Sequence, residues 1–358
     1  MNRTEGAVVD LRRGDSSAEA SQPSLDRGNQ PAVASTHAQE LRGKTVARVS
    51  TPDVHPERPS LERFLELGRA TLAGVELKDA LLALFQAPDY KAPILPAAAL
   101  ELTALTRKSN VSYDQVARVI EKDPLIAASV LKLVQSPVYG GRARVQSLRD
   151  ALSRLGINTL RDVVWQVVVG TRVFRAPAYA QMLERLQRHC VFTAHAARIV
   201  ASHAGVTAEH AFLCGLLHDV GWSGALVAVS SSMPTPCKPH VLYTAVDKIH
   251  SDAGVIMAKF WQLAPEIVEV IEHHHDHEYF ELAGLIPVLC VAEQFAEQFD
   301  FGVEAASADD GSLLGLDEQL VGRNEQAIAV LQLESKLEHI RTQIAEMAEG
   351  MRAQSNQQ

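Results

Sequence analysis

The stretch AFLCGLLHDVGW, residues 211–222, decides how the rest of the chain is interpreted. An apolar run with helical character ends in two metal-capable side chains, His218 and Asp219, and Gly221 follows them. Neighbouring residues on a helix point about 100° apart, so both side chains can contact one ion most easily where the backbone turns, which Gly221 permits. Two interpretations are open: a metal ion lies here, or the two groups hydrogen-bond across a core.

Helical signals continue along most of the chain and predict an all-α protein. Only 5% of the residues are aromatic, and the apolar 47% is rich in Ala, Leu and Val, which favours helices over β-sandwiches. Gly156 is a natural residue to end a helix. The valine-rich run at 163–170 could form a strand, but the absence of partner strands favours a helix. Capping patterns precede several runs: Ser112 with Gln115, Asp123 with Pro124, Ser147 with Asp150, and Thr159 with Asp162.

Composition divides the chain into four parts. Residues 1–59 are polar without an apolar period and are predicted to be a disordered leader. Residues 60–87 are predicted to be leading helices, residues 88–300 the main helical domain, and residues 301–358 a helical tail. Further helices are predicted at 178–204, 207–218, 245–262, 265–276 and 284–299, with a proline-containing loop at 229–240.

The tail carries apolar residues in alternating steps of three and four, which is a heptad pattern. They are Val330, Leu333, Leu337, Ile340, Ile344, Met347 and Met351. The pattern has two explanations. Either the C-terminal helix forms a short coiled coil with a second copy and makes a homodimer, or an amphipathic helix docks on its own domain.

Charge and cysteine content exclude several classes of protein. The net charge of −9 argues against general binding to nucleic acid, which needs a surplus of Lys and Arg. Five arginines lie between 142 and 161, but spaced arginines usually form a solvated helix face. The four cysteines form no CxxC pair, so neither a cysteine zinc site nor a disulfide framework is expected. We expect no membrane segment and a cytoplasmic location.

Seven metal-capable residues lie at or within predicted helices, spread over about a hundred positions. They are His189, His218, Asp219, His250, His274, His275 and Glu293. Their order resembles that of the HD superfamily. The stretches HCVFTAHAARIVA, AFLCGLLHDVG and HSDAGVIMAKFWQLAPEIVEVIEHHHD resemble its HDOD branch, as do LPAAALELTAL and the Asp123-Pro124 and Gln135-to-Tyr139 stretches of the first half. This resemblance covers roughly residues 88–300 and implies a two-part helical HDOD domain with an HD-like core.

The resemblance implies a bacterial signalling protein that regulates by binding a protein partner or a small ligand such as a nucleotide. Its seven residues would hold a divalent metal, with Fe, Mn, Zn and Mg all open. The alternative is a metal-dependent phosphohydrolase or cyclic-dinucleotide phosphodiesterase related to the HD-GYP enzymes. Three departures favour the non-enzymatic role. Trp222 stands where such enzymes carry a phosphate-binding lysine, Glu293 replaces an aspartate, and the GYP stretch is absent.

Overall fold

Every regular element in the described part of the chain is a helix, which confirms the all-α prediction. The structure is a computed structural model, and it describes residues 74–106, 108, 110–139, 145–206, 210–232, 237, 239–276, 284–303 and 318–355. The predicted leader, residues 1–59, and the first predicted helix up to residue 73 lie outside the described residues.

Fourteen α-helices lie in the described part of the chain. They are α1 Gly74–Phe85, α2 Ala97–Thr106, α3 Tyr113–Glu121, α4 Pro124–Val134, α5 Leu148–Val168, α6 Ala180–Ala204, α7 Ala211–Leu217, α8 Val220–Ser232, α9 Pro239–Asp247, α10 His250–Phe260, α11 Pro265–His273, α12 Leu285–Gln298, α13 Glu318–Val330 and α14 Leu337–Ser355. Short 3₁₀ turns occur at Pro137–Tyr139 and Pro177–Tyr179, and a π-helical turn at Val169–Val173 continues α5.

Side-chain caps start several helices where the sequence predicts them. Ser112 and Gln115 form a reciprocal capping box, with the Gln115 amide donating to Ser112 Oγ and the Ser112 amide to Gln115 Oε1. Asp123 Oδ1 accepts from two amides of α4, and Pro124 occupies the first turn, where its missing N–H is not needed. Ser147 caps α5 in the same way. These local hydrogen bonds satisfy backbone groups that a helix start leaves unpaired.

Two details of the middle of the chain differ from the sequence prediction. The predicted cap of Thr159 with Asp162 is wrong, because α5 runs through both positions and bends at Gly156, whose φ is +78°. The predicted loop at 229–240 is partly wrong, because α8 extends to Ser232 and α9 begins at Pro239. The valine-rich run is helical as predicted. Tertiary packing, which buries these valines, overrides their β propensity.

A buried polar network joins α5 to α6. Asp162 on α5 accepts a hydrogen bond from Arg161 at 3.0 Å and lies 3.7 Å from the Arg198 guanidinium of α6. Tyr139 donates to Gln166 Oε1 at 3.0 Å. Burial raises the pKa of Asp162 to about 6, although both guanidinium groups oppose the shift. Arg161 is therefore part of the core rather than of a solvated basic face.

The C-terminal helix α14 docks on its own domain. It packs against α6 and the Pro137–Tyr139 turn, and three of its heptad residues, Ile340, Ile344 and Met351, are buried there. A turn between α13 and α14 interrupts the heptad seam after Val330. The docked alternative therefore describes this helix, and a homodimer through the same residues would have to displace it.

One apolar segment in the described chain, residues 211–231, is long and apolar enough to cross a membrane, with a mean hydropathy of 1.5. It spans α7 and α8, and 94% of it is buried inside the fold. Its hydropathy is explained by its place in the core, where it contacts α6 and α10.

Candidate metal centre

The structure brings all seven predicted site residues together. His189 lies on α6, His218 and Asp219 form the turn between α7 and α8, His250 begins α10, His274 and His275 follow α11, and Glu293 lies on α12. The prediction that the backbone turns at the pair 218–219 is confirmed, since α7 ends at Leu217 and α8 begins at Val220.

Three of the histidines occupy the ends of helices and bond in the same local way. Each ring donates from Nδ1 to the backbone carbonyl three residues earlier, at 2.9 Å for His218, 2.6 Å for His250 and 2.8 Å for His274. The last carbonyls of a helix have no partner within it, so these rings satisfy otherwise unpaired acceptors. A carbonyl oxygen can only accept, and therefore Nδ1 carries a proton, and in the neutral ring Nε2 presents its lone pair.

His189 follows the same rule through a distant partner. Its Nδ1 donates to the carbonyl of Phe301 at 3.0 Å, and its Nε2 lies 3.2 Å from Nε2 of His218. On the other side of the centre, Nε2 of His250 lies 3.2 Å from Nε2 of His274 and 2.9 Å from Nε2 of His275. Facing lone pairs repel unless a proton or another cation lies between them. The arrangement thus favours a bound cation.

Asp219 lies between the two sets of histidines. Its Oδ2 is 3.3 Å from Nε2 of His218 and 3.9 Å from Nε2 of His189. Its Oδ1 is 3.4 Å from Nε2 of His250 and 3.5 Å from Nε2 of His274. One carboxylate therefore faces two groups of nitrogen donors, and within each group the donor atoms lie within 4.8 Å of one another.

The donor set fits transition-metal ions. Ligands at about 2.1 Å from one tetrahedral or octahedral ion lie roughly 3 to 3.4 Å apart, close to the separations between the facing Nε2 atoms. Imidazole suits Zn, Fe and Mn better than Mg, and carboxylates add the negative charge that a divalent ion needs. His218 and His274 are fully buried, whereas His275 is exposed and marks the side from which the centre meets solvent.

Charge at the centre is concentrated on His218 and Asp219. Burial opposes a charged His218, but the Asp219 carboxylate, by charge and hydrogen bond, and Glu293 raise the pKa of this imidazole to about 9. Burial likewise disfavours a charged Asp219, yet the His218 imidazolium holds its pKa well below the usual range. Burial raises the pKa of Glu293, whose Oε1 lies 3.5 Å from Nε2 of His218. A metal ion would take the place of the His218 proton.

Two neighbouring histidines, His189 and His275, are held in the neutral form. Burial, followed by the positive charge of His218, lowers the pKa of His189 to about 4. Burial and the charges of His274 and His250 lower the pKa of His275, whose Nε2 points inward although part of the residue is exposed. Neutral imidazoles are the protonation state that metal ions bind.

Two residues of the HDVGW stretch fix the walls of the centre. Gly221 lies inside α8, and a Cβ on it would overlap the carbonyl oxygen of His250, so glycine is required for close approach rather than for a turn. Trp222 is buried and its ring lies 5.8 Å from that of His250 and 4.9 Å from that of Tyr243. Position 222 thus supplies an apolar wall and no positive charge.

Two other histidines of α6, His195 and His203, stay apart from the centre. His195 lies 3.4 Å from the Tyr139 hydroxyl and 3.3 Å from Arg198, and His203 contacts Gln343 of α14. Sequence reasoning missed Arg323 of α13, which is buried and donates to the carbonyl of His274. A single arginine in the tail belongs to no motif, so no signal in the sequence identifies it.

Comparisons with known proteins agree with this architecture. A family model described as the HDOD domain matches residues 92–277. The fold is similar to that of an HDOD domain protein with unknown function from Geobacter sulfurreducens, at a TM-score of 0.52 and 23% identity over 76% of this chain and 99% of that one. It is also similar to a Shewanella amazonensis protein provisionally described as a metal-dependent phosphohydrolase, at a TM-score of 0.53 and 20% identity over 72% of this chain and 99% of that one.

Sequence relatives match over shorter stretches of the chain. An uncharacterized protein from Treponema pallidum is 26% identical over 215 residues, or 56% of this chain and 41% of that protein. Ribonuclease Y from Thermus thermophilus is 29% identical over 115 residues, or 29% of this chain and 17% of that enzyme. The chain thus spans less than half the length of these relatives.

Proposed function

The chain belongs to the HDOD domain family, and from this premise we propose that it is a bacterial, cytoplasmic regulatory protein built around a divalent metal centre. It acts by contact with a protein partner or a small ligand. Four imidazoles with Nδ1 fixed on backbone carbonyls and Nε2 directed at neighbouring donors carry the metal proposal. Tautomers fixed by outer hydrogen bonds are typical of metal ligands.

The distances between the donor atoms divide the residues into two sets. His189, His218 and Asp219 would hold one ion, with Glu293 beside them, and Asp219 with His250, His274 and His275 would hold another. The donor chemistry favours Fe, Mn or Zn. A bound ion supplies Lewis acidity, which lowers the pKa of water and polarises a phosphoryl oxygen.

The alternative is a phosphohydrolase. The paired donor groups support it, as does the similarity to the ribonuclease and to the Shewanella protein. The wall at Trp222 counts against it, because a buried indole cannot neutralise a phosphate charge and packs where a cation would be needed. We therefore favour a regulatory function over phosphohydrolase activity.

Metal analysis of protein purified without chelators tests the proposal. We expect at least one tightly bound Fe, Mn or Zn per chain in the parent and its loss in His189→Ala. His195→Ala is the matched control, because His195 is also buried on α6 but lies outside the centre. Equal metal content in both variants contradicts the assignment of His189 as a ligand, and a parent that binds no metal contradicts the metal centre.

A phosphodiesterase assay separates the two functions. The metal-loaded parent is assayed with bis(p-nitrophenyl) phosphate and with a cyclic dinucleotide. Regulation predicts no turnover above the metal-free background. Turnover that disappears in the double variant His218→Ala, Asp219→Ala, with folding retained, establishes the phosphohydrolase instead.

A further inference from the structure

Helix α13 follows the segment matched by the family model, which ends at residue 277, and it packs directly on α12. Two consecutive residues of α13, Arg323 and Asn324, are both buried at 5% exposure. Polar side chains are buried when they have partners, and arginine is among the residues that are almost never fully buried unless paired. Their partners lie on the helices that carry the metal donors.

Arg323 contacts the backbone of a metal-centre residue. Its guanidinium donates to the carbonyl oxygen of His274, the C-cap residue just after α11, while Nδ1 of the same histidine donates to the carbonyl of Ile271. The negative end of α11 thus receives a cation, as helix C-termini favour. The contact fixes the turn from which His274 and His275 extend.

Asn324 anchors the same helix to the other side of the centre. Its Oδ1 accepts a hydrogen bond from the thiol of Cys290 at 2.9 Å, and Cys290 lies one turn before Glu293 on α12. Neighbouring residues of α13 therefore hold both α11 and α12.

We propose that Arg323 is a positioning residue of the metal centre, so that the segment after the family domain completes the site. The proposal rests on the metal centre of the proposed function. A ligand set binds an ion tightly only if its geometry is held within about half an ångström by surrounding contacts. Arg323 provides such a contact to the backbone of one ligand, and the planar guanidinium makes it directional.

A purely structural role for Arg323 makes a different prediction. If Arg323 only caps a helix, its removal would lower the stability of the metal-free and the metal-bound protein by the same amount. As a positioning residue, it would change the affinity and the geometry of the bound ion. Cobalt reports both quantities, because its visible absorption depends on the number and arrangement of ligands.

The experiment titrates Co²⁺ into the metal-free full chain of the parent, Arg323→Gln and Arg323→Lys, with thermal melting of each. Arg341→Gln is the matched control, because Arg341 also lies in the tail and bonds to α12 at Gln298, at 3.1 Å. We expect Arg323→Gln to bind Co²⁺ about 10- to 100-fold more weakly, with an altered absorption spectrum. Arg323→Lys keeps the positive charge and a hydrogen-bond donor and should therefore lose less Co²⁺ affinity. Arg341→Gln should have the affinity and the spectrum of the parent.

Each outcome decides the inference. Parental affinity and spectrum in Arg323→Gln overturn it and leave the metal centre intact. A parent that binds no Co²⁺ overturns both the inference and the proposed metal centre. If Arg323→Gln does not fold, Arg323→Lys decides: weaker binding with a parental melting temperature supports the positioning role, and parental affinity with a parental spectrum overturns it.

Discussion

Replacing Gly221 by alanine is expected to separate two helices of the metal centre. The new Cβ would overlap the carbonyl oxygen of His250 and lie 2.7 Å from the amide nitrogen of Gly254. Both neighbours are backbone atoms, which cannot rotate away as a side chain can. Helices α8 and α10 must therefore move apart, and Asp219 moves away from His250.

Gly224 on the same helix provides the matched control. A Cβ there would meet Sδ of Met257 at 2.5 Å and a ring atom of Phe85 at 3.3 Å. A methionine side chain can change rotamer, so this contact relaxes at little cost. Both substitutions gain the same helix propensity, about 1 kcal/mol. Overpacking costs about 1–3 kcal/mol, and Gly221→Ala belongs at the upper end because only backbone can yield.

Urea and thermal unfolding of the two variants measure the difference. We expect Gly221→Ala to unfold at least about 2 kcal/mol more easily than Gly224→Ala, or roughly 4–8 °C lower in melting temperature for a protein of this size. Metal content should fall in Gly221→Ala alone. Equal unfolding midpoints and equal metal content in the two variants would refute the close-approach argument.

Three further predictions concern charge, metal and hydrogen bonding. The pKa of Asp162 is raised by burial to about 6 from 3.8, so the folded state holds its proton more tightly and loses stability as pH rises between these values. Relative to Asp162→Asn, the parent should thus gain roughly 1 kcal/mol in unfolding free energy from pH 7 to pH 5, and a constant difference would contradict this. Mn²⁺ at a hundred times its Kd should stabilise the parent by about 2.7 kcal/mol and leave Asp219→Asn unchanged in thermal melts. Tyr139→Phe, which removes a hydrogen bond to Gln166, should cost about 1–2 kcal/mol in urea unfolding, and no loss would show the bond to be dispensable.

Local signals predicted the helix starts because a cap is made within a few residues. Ser112, Asp123 and Ser147 each bond to amides two or three residues ahead, so the relevant partners are visible in the sequence. Asp162 fails this logic, since its carboxylate pairs with the Arg161 side chain and faces Arg198 on another helix instead of a helix-start amide. The capping pattern failed here because its acid pairs with cations inside the core.

Periodicity identified the buried face of the C-terminal helix but not what covers it. A stripe with Ile340, Ile344 and Met351 has the same sequence whether its partner is a second copy or α6 of the same chain. Nothing local separates these cases, because the free energy comes from burial of apolar surface in both.

The seven site residues were predictable as a set because their order along the chain resembles a known family. Their common position could not follow from spacing alone, since His189 and Glu293 are separated by about a hundred residues of intervening helices. Arg323 was not predictable at all. Arg323 donates to the backbone carbonyl of His274, and because every residue has such a carbonyl, the sequence does not identify this partner.

The turn at 218–219 explains why a buried helix ends in an imidazole beside a carboxylate. A helix that stops inside a core leaves carbonyls without partners, and an unpaired buried acceptor costs about 1–3 kcal/mol. The rings of His218, His250 and His274 each donate a hydrogen bond from Nδ1 to a carbonyl three residues earlier and so satisfy such an acceptor. The same bond directs Nε2 away from its own helix, toward Asp219. These three hydrogen bonds satisfy backbone carbonyls and at the same time orient three of the nitrogen ligands of the metal centre. The stability of the helix ends and the affinity for metal therefore depend on the same hydrogen bonds.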